Sequence, residues 1–204
     1  MTIRPIVITG EPVLHRRAEP VAAFDGALHS LVADMFDTMD AAHGVGLAAP
    51  QIGVGLRVFT WQMDNDDGVP ARGVIVNPYV APSKPSIEAP DPHDEAEGCL
   101  SVPGESFPLK RGDRASVSGF DAEGREIAFE ATGWFARCMQ HEYDHLNGFL
   151  YVDRLNERWG KKARKAIKRG GWGRMPRGRA GGGPGPRRAR RRGRTGPGRR
   201  RASR

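Results

Sequence analysis

Cysteine is scarce: Cys99 and Cys138 are the only two in 204 residues. So few thiols exclude a disulfide-stapled scaffold and fit a reducing cytosol, with the thiols free or one of them on a metal. Long apolar runs are also missing. No stretch approaches the ~20 apolar residues of a membrane span, and Met1-Thr2-Ile3-Arg4-Pro5 offers no apolar segment for a secretory signal. These absences set the expectation of a soluble, cytoplasmic protein with no membrane partner. Acidic residues are missing from one region only. Beyond position 155 there is a single one, Glu157, against 20 of the 32 Lys and Arg. That stretch carries +19 and residues 1–155 carry −11, so the net +8 describes the tail alone.

The charge break suggests three parts. Residues 1–155 have the size of one domain with a single hydrophobic core. Residues 156–170 read as a basic, helical extension. Residues 171–204 are Gly, Arg and Pro with little else, cannot bury enough apolar surface to offset chain entropy, and are expected to be disordered.

Within the acidic part, Ile3 to Val21 reads as an extended entry segment with turns at Gly10 and Pro12. Leu28, Leu31, Val32, Met35, Phe36 and Met39 then recur at three- and four-residue steps, the stripe of an N-terminal amphipathic helix. Asp25 is its N-cap and Gly44 its stop signal. Four short runs rich in β-branched or aromatic residues follow: Arg57–Trp61, Gly73–Val76, Arg114–Phe120 and Glu126–Glu130. Asp121-Ala122-Glu123-Gly124 joins the last two as a hairpin. Ala81–Glu97 is Pro- and acid-rich and reads as a surface loop. A second helix spans about Gly133 to Asn147, between Thr132 as N-cap and Gly148. Strands in sequence without alternating helices predict an α+β domain, with antiparallel sheets packed around a central helix.

That second helix carries His141-Glu142-Tyr143-Asp144-His145. Residues four apart share a helix face, so both imidazoles can converge on one ion, with Glu142 turned about 100° away yet near enough to act on water. A hydrolytic site normally has three protein ligands and an open fourth position. His15, His29, His43, His93, Cys99, Cys138 and many carboxylates are open as the third. Cys99 lies in Glu97-Gly98-Cys99-Leu100-Ser101, beside a glycine that allows close backbone approach. Taken alone it reads as a small buried hydrophobe. Gly44-Val45-Gly46-Leu47-Ala48-Ala49-Pro50-Gln51-Ile52-Gly53 reads, alone, as a tight loop between helix and strand.

Together and in this order, Gly44 to Gln51, Glu97 to Ser101 and Gln140 to His145 resemble the three motifs of the peptide deformylases. No motif position departs from the pattern, and the likeness spans about Ile3 to Arg154. The resemblance implies metal ligation by Cys99, His141 and His145, with water in the fourth position. Iron(II) is the implied metal; zinc, nickel and cobalt also suit such a donor set. It further implies proton transfer by Glu142 and oxyanion stabilisation by the Gln51 amide and the Leu100 N–H. The implied substrate is an N-formylmethionyl nascent peptide, laid along the backbone at Val45, Gly46 and Gly98 as an added strand. Trp134 and Cys138, seven and three residues before His141 on its helix face, are the candidates for lining a methionine pocket beside the metal. Arg137 is expected at the rim with only its stem buried. Asp144 either orients an imidazole or is an exposed helix carboxylate, and Arg111 or Arg114 is a partner for Glu97. The basic stretch 157–169 resembles the helix by which bacterial members are thought to dock on ribosomal RNA.

Two rivals weigh less. Endopeptidases of the thermolysin kind also use His-Glu-x-x-His but take a third ligand downstream, where Asp153 is the sole acid before the basic tail and no histidine follows. An RNA-binding protein with an inactive core should have lost a ligand or the base, yet all are present. The Arg-Gly-Pro tail can bind RNA without folding; it is also what a GC-rich gene yields out of frame.

Overall fold

The computed structural model describes residues 2–64 and 70–173. Most of the stretch expected to be disordered, 171–204, lies outside them.

Helix α1 (Gly26–Ala41) begins at Asp25, which has extended backbone and whose carboxylate accepts the N–H groups of Ala27 and Leu28. Those are donors that a first helical turn leaves open. The helix buries Leu28, Leu31, Val32, Met35 and Met39. The left-handed residue that follows is His43, at φ 52°, and not Gly44.

Five strands make one antiparallel sheet in the order β1 (Gly46–Ala48), β2 (Val58–Asp64), β3 (Pro70–Pro82), β6 (Arg114–Phe120) and β7 (Glu126–Thr132). Side-chain alternation assigns its faces. Val58 and Thr60 lie opposite Val76 and Val74 on the α1 side, whereas Phe59, opposite Ile75, points to the other core. That other core is covered by α2 (Gly133–Leu146), whose Ala136, Cys138, Met139 and Leu146 pack with Phe59, Ile75, Val117 and Ala131. The motif-bearing helix is central, as expected.

Three corrections concern strands. β3 is longer than the Gly73–Val76 run, and the surface loop is shorter than Ala81–Glu97, because β4 (Ala96–Cys99) starts within it. β4 pairs with β5 (Val102–Pro108) as a separate two-stranded sheet. The Gly44–Gly53 segment is not simply a loop either: it contains β1 and a short 3-10 turn, Ala49–Ile52.

Helix α3 (Glu157–Arg169) is capped by Asn156, whose side chain accepts from Trp159 N. It buries Ala163, Ala166 and Ile167 in a third core with Phe107, Leu109, Leu150 and Tyr151. The boundary expected after residue 155 therefore divides charge, while apolar packing continues across it. No described helix is long and apolar enough to cross a membrane.

Candidate metal centre

Helix α2 places His141 and His145 one turn apart, with ring centroids at 5.0 Å and planes at 70°. The β4–β5 turn brings Cys99 to them, its Sγ lying 3.3 Å from His145 Nε2. The donor atoms of Cys99, His141 and His145 all lie within 4.8 Å of one another, the only such cluster of metal-ligating side chains among the described residues. His15, His29, His43, His93 and Cys138 are not in it. Of the candidates that helix spacing left open as a third partner, Cys99 is the one whose donor atom joins the two imidazoles.

Each imidazole is set for ligation. His141 Nδ1 donates to Glu97 Oε2 at 3.0 Å, which leaves Nε2 as its ligating atom, a common arrangement. Burial would lower the His141 pKa, but bonds to Cys99 and Glu97 outweigh that and push it well up until an ion displaces the proton. His145 is fully buried, and burial pushes its pKa well below the ordinary value, so it is held neutral. A thiol and two imidazoles form the borderline-soft set that suits iron(II) or zinc. His145 Nδ1 and Glu142 Oε2 are also buried without a hydrogen-bond partner among the described residues. By donor chemistry and convergence, the residues fit a divalent cation.

Glu142 sits against β1. Burial raises its pKa to about 7, the range of an effective proton carrier at neutral pH. Gly46 makes room for it: a Cβ there would lie 2.8 Å from the Glu142 carboxylate carbon. Gln51 is buried in the 3-10 turn after β1. Its Oε1 accepts from Ala48 N at 2.8 Å, which turns Nε2 toward Ser101 Oγ at 3.4 Å and Cys99 Sγ at 3.6 Å. An amide locked by its oxygen presents its N–H groups to the same spot as the thiol.

A cleft of about 610 Å³ opens onto this centre. Val45, Gly46, Gln51, Gly98, Cys99, Leu100, Trp134, Cys138, His141 and Glu142 all line it, so every candidate ligand, catalytic and substrate-binding residue reaches it except His145, which is fully buried 3.3 Å from the Cys99 sulfur. Trp134 and Val45 are more than half exposed at its mouth, whereas Cys138 is buried and its thiol pKa is pushed well up by that burial.

Two charged neighbours depart from expectation, and a third settles an open choice. The Arg137 guanidinium is buried, not at the rim, donating to Glu97 Oε1 at 2.6 Å and Leu109 O at 2.7 Å. Arg111, and not Arg114, is the second partner of Glu97. Asp144 is buried but orients no imidazole; it accepts from Arg111 at 2.8 Å and Arg154 at 2.7 Å. Burial alone would raise the Glu97 pKa, but bonds from His141 and Arg111 outweigh it and hold the carboxyl at about 2. Sequence reasoning also missed Tyr151, whose ring stacks 6.0 Å from His141 while its OH donates to Glu105 O. No spacing rule marks such a residue.

Residues 3–160 match the family described as polypeptide deformylase. The chain is 52% identical over 175 residues to a peptide deformylase of Mycolicibacterium paratuberculosis, covering 82% of this chain and 89% of that protein. It is 51% identical over 175 residues to one of Rhodococcus opacus, covering 84% and 89% respectively. Among solved structures it resembles a peptide deformylase of Legionella pneumophila, with TM-score 0.70, 38% identity, and coverage of 83% and 96%. It is likewise similar to the Ehrlichia chaffeensis peptide deformylase in complex with actinonin, with TM-score 0.71, 35% identity, and coverage of 83% and 98%.

Proposed function

We propose that this chain, which belongs to the polypeptide deformylase family and hydrolyses the N-terminal formyl group of nascent polypeptides, does so with Cys99, His141 and His145 as metal ligands and Glu142 as proton carrier. The observation that carries the reading is the convergence of a loop thiol with two helix imidazoles at the floor of one cleft, with Glu142 and Gln51 facing the same point.

The ion bound there supplies Lewis acidity, polarising a carbonyl oxygen and acidifying water. The protein does the rest. Glu142, with its carboxyl near pKa 7, takes a proton from the water that attacks the formyl carbon. It returns a proton to the amine nitrogen as the C–N bond breaks, so formate and a free N-terminus leave. Gln51 Nε2 and the Leu100 N–H donate to the formyl oxygen as negative charge gathers on it. Backbone groups of Val45, Gly46 and Gly98 hold the extended peptide, which identifies main chain without reading downstream side chains. Trp134 and Cys138 make the apolar walls that receive the methionine side chain.

The metal we assign is iron(II), held by one thiolate and two imidazoles. The test combines both claims. Protein purified without oxygen should contain near-stoichiometric iron, release formate from formyl-methionyl peptide, and leave internal peptide bonds uncut. Cleavage of internal bonds would favour the endopeptidase reading, and full turnover with zinc alone would overturn the metal assignment.

The outer side of α3 exposes Lys161, Lys162, Arg164, Lys165, Lys168 and Arg169. We assign it to docking on ribosomal RNA, where counterion release gives salt-sensitive affinity. Deleting the helix would strip the third core, so charge reversal is the cleaner probe. Lys165→Glu with Lys168→Glu should abolish co-sedimentation with ribosomes at low salt and leave deformylation of free peptides intact. Undiminished co-sedimentation would sink the docking role.

A further inference from the structure

Glu97 is buried and accepts four hydrogen bonds. Its Oε1 takes Arg111 Nε at 2.7 Å and Arg137 Nη1 at 2.6 Å; its Oε2 takes Arg111 Nη2 at 3.0 Å and His141 Nδ1 at 3.0 Å. Among the described residues, the strand that carries Glu97 and Cys99, β4, pairs only with β5. No strand hydrogen bond fixes it against α2, which carries the other two ligands. Side chains must do that.

Arg137 is well placed for the task. From α2, its Nη1 reaches both Glu97 and Leu109 O, the residue just past β5, at 2.7 Å. Its Nη2 lies 3.6 Å from Glu95 Oε1, just before β4. One planar fork therefore grips both flanks of the hairpin, which a guanidinium can do and a point charge cannot. On its other side the guanidinium lies 5.0 Å from the Trp134 ring and lines the cleft.

We propose that Arg137 is a positioning residue for the reaction: it clamps the β4–β5 hairpin to α2 and so sets how Cys99 meets His141 and His145, from within the wall that receives the substrate side chain. The proposal rests on metal ligation by those three residues. It is distinct from a pocket-wall role, which predicts altered substrate affinity and nothing at the metal. Outer partners of ligands commonly matter about 10–100-fold in metal affinity.

Cobalt(II) is the probe, because its thiolate absorption band reports ligand geometry. Full-length wild type, Arg137→Leu, Arg137→Lys and Trp134→Ala are loaded with cobalt and challenged with a chelator. Arg137→Leu should lose cobalt about tenfold faster or more, with an altered thiolate band and a lower kcat. Arg137→Lys keeps the charge but has a single nitrogen, which cannot hold Glu97 and Leu109 and face Glu95 as well, and should lose cobalt several-fold faster. Trp134→Ala should raise KM and leave cobalt loss unchanged. Arg137→Leu with wild-type cobalt loss and band, and only KM altered, overturns the proposal. Wild-type behaviour of Arg137→Lys overturns it too, even where the leucine variant is too unstable to purify. A wild type that takes up no cobalt would instead sink the ligand assignment.

Discussion

Glu142→Ala is expected to lower formate release by roughly 10³-fold while the metal stays bound. Glu142 is not among the converging donors, and its Oε2 has no hydrogen-bond partner among the described residues. Removing it deletes a proton carrier and leaves the three ligands in place. His145→Ala should behave differently. That imidazole is fully buried 3.3 Å from the Cys99 sulfur, so its loss leaves two ligands and a void, and both metal and turnover should disappear. Elemental analysis after desalting, run beside a formate assay on the same samples, separates the two. Equal metal loss in both variants would contradict the assigned roles.

Gln51 carries the second large effect. Losing one oxyanion donor typically costs about 10²–10³ in rate. Gln51→Leu should show a drop of that order in kcat, with KM little changed and metal retained. The substitution also leaves Ala48 N–H without the acceptor it now has at 2.8 Å, a cost of about 1–3 kcal/mol in stability. Rates are therefore to be normalised to folded, metal-loaded enzyme. A kcat within a few-fold of wild type would remove Gln51 from the chemistry and leave it as the clamp of the turn after β1.

Much of this site was legible because its signals are local. Two histidines four apart on a helix announce a shared face, and the α1 stripe and Asp25 cap announce the helix they belong to. The likeness of three ordered motifs to the deformylases supplied what spacing left open, the choice of Cys99 above all. What stayed hidden is non-local or poor in strand propensity. β5 reads Val-Pro-Gly-Glu-Ser-Phe-Pro, with proline and glycine where a strand signal is sought, and such residues are tolerated only because the hairpin has a free edge. β1 spans three residues and has no periodicity to find. Arg137 was expected at the rim because an isolated arginine is costly to bury. Its partners Glu95 and Glu97 lie some forty residues away in sequence, and only folding brings them to it. The same distance hid the bond between Glu97 and His141.

Helix α2 holds Trp134, Cys138, His141, Glu142 and His145 on a single rod. At 1.5 Å per residue, Trp134 and His141 are about 10 Å apart along its axis. With the proposed pocket at Trp134 and the proposed ligand at His141, the helix would work as a ruler, reading the separation between a side chain and the formyl carbonyl on the same residue's nitrogen. A formyl group on a lysine tip, or one residue further along, would match one end of that gauge and miss the other. Selection for the first residue of a polypeptide would in this way be built into a length.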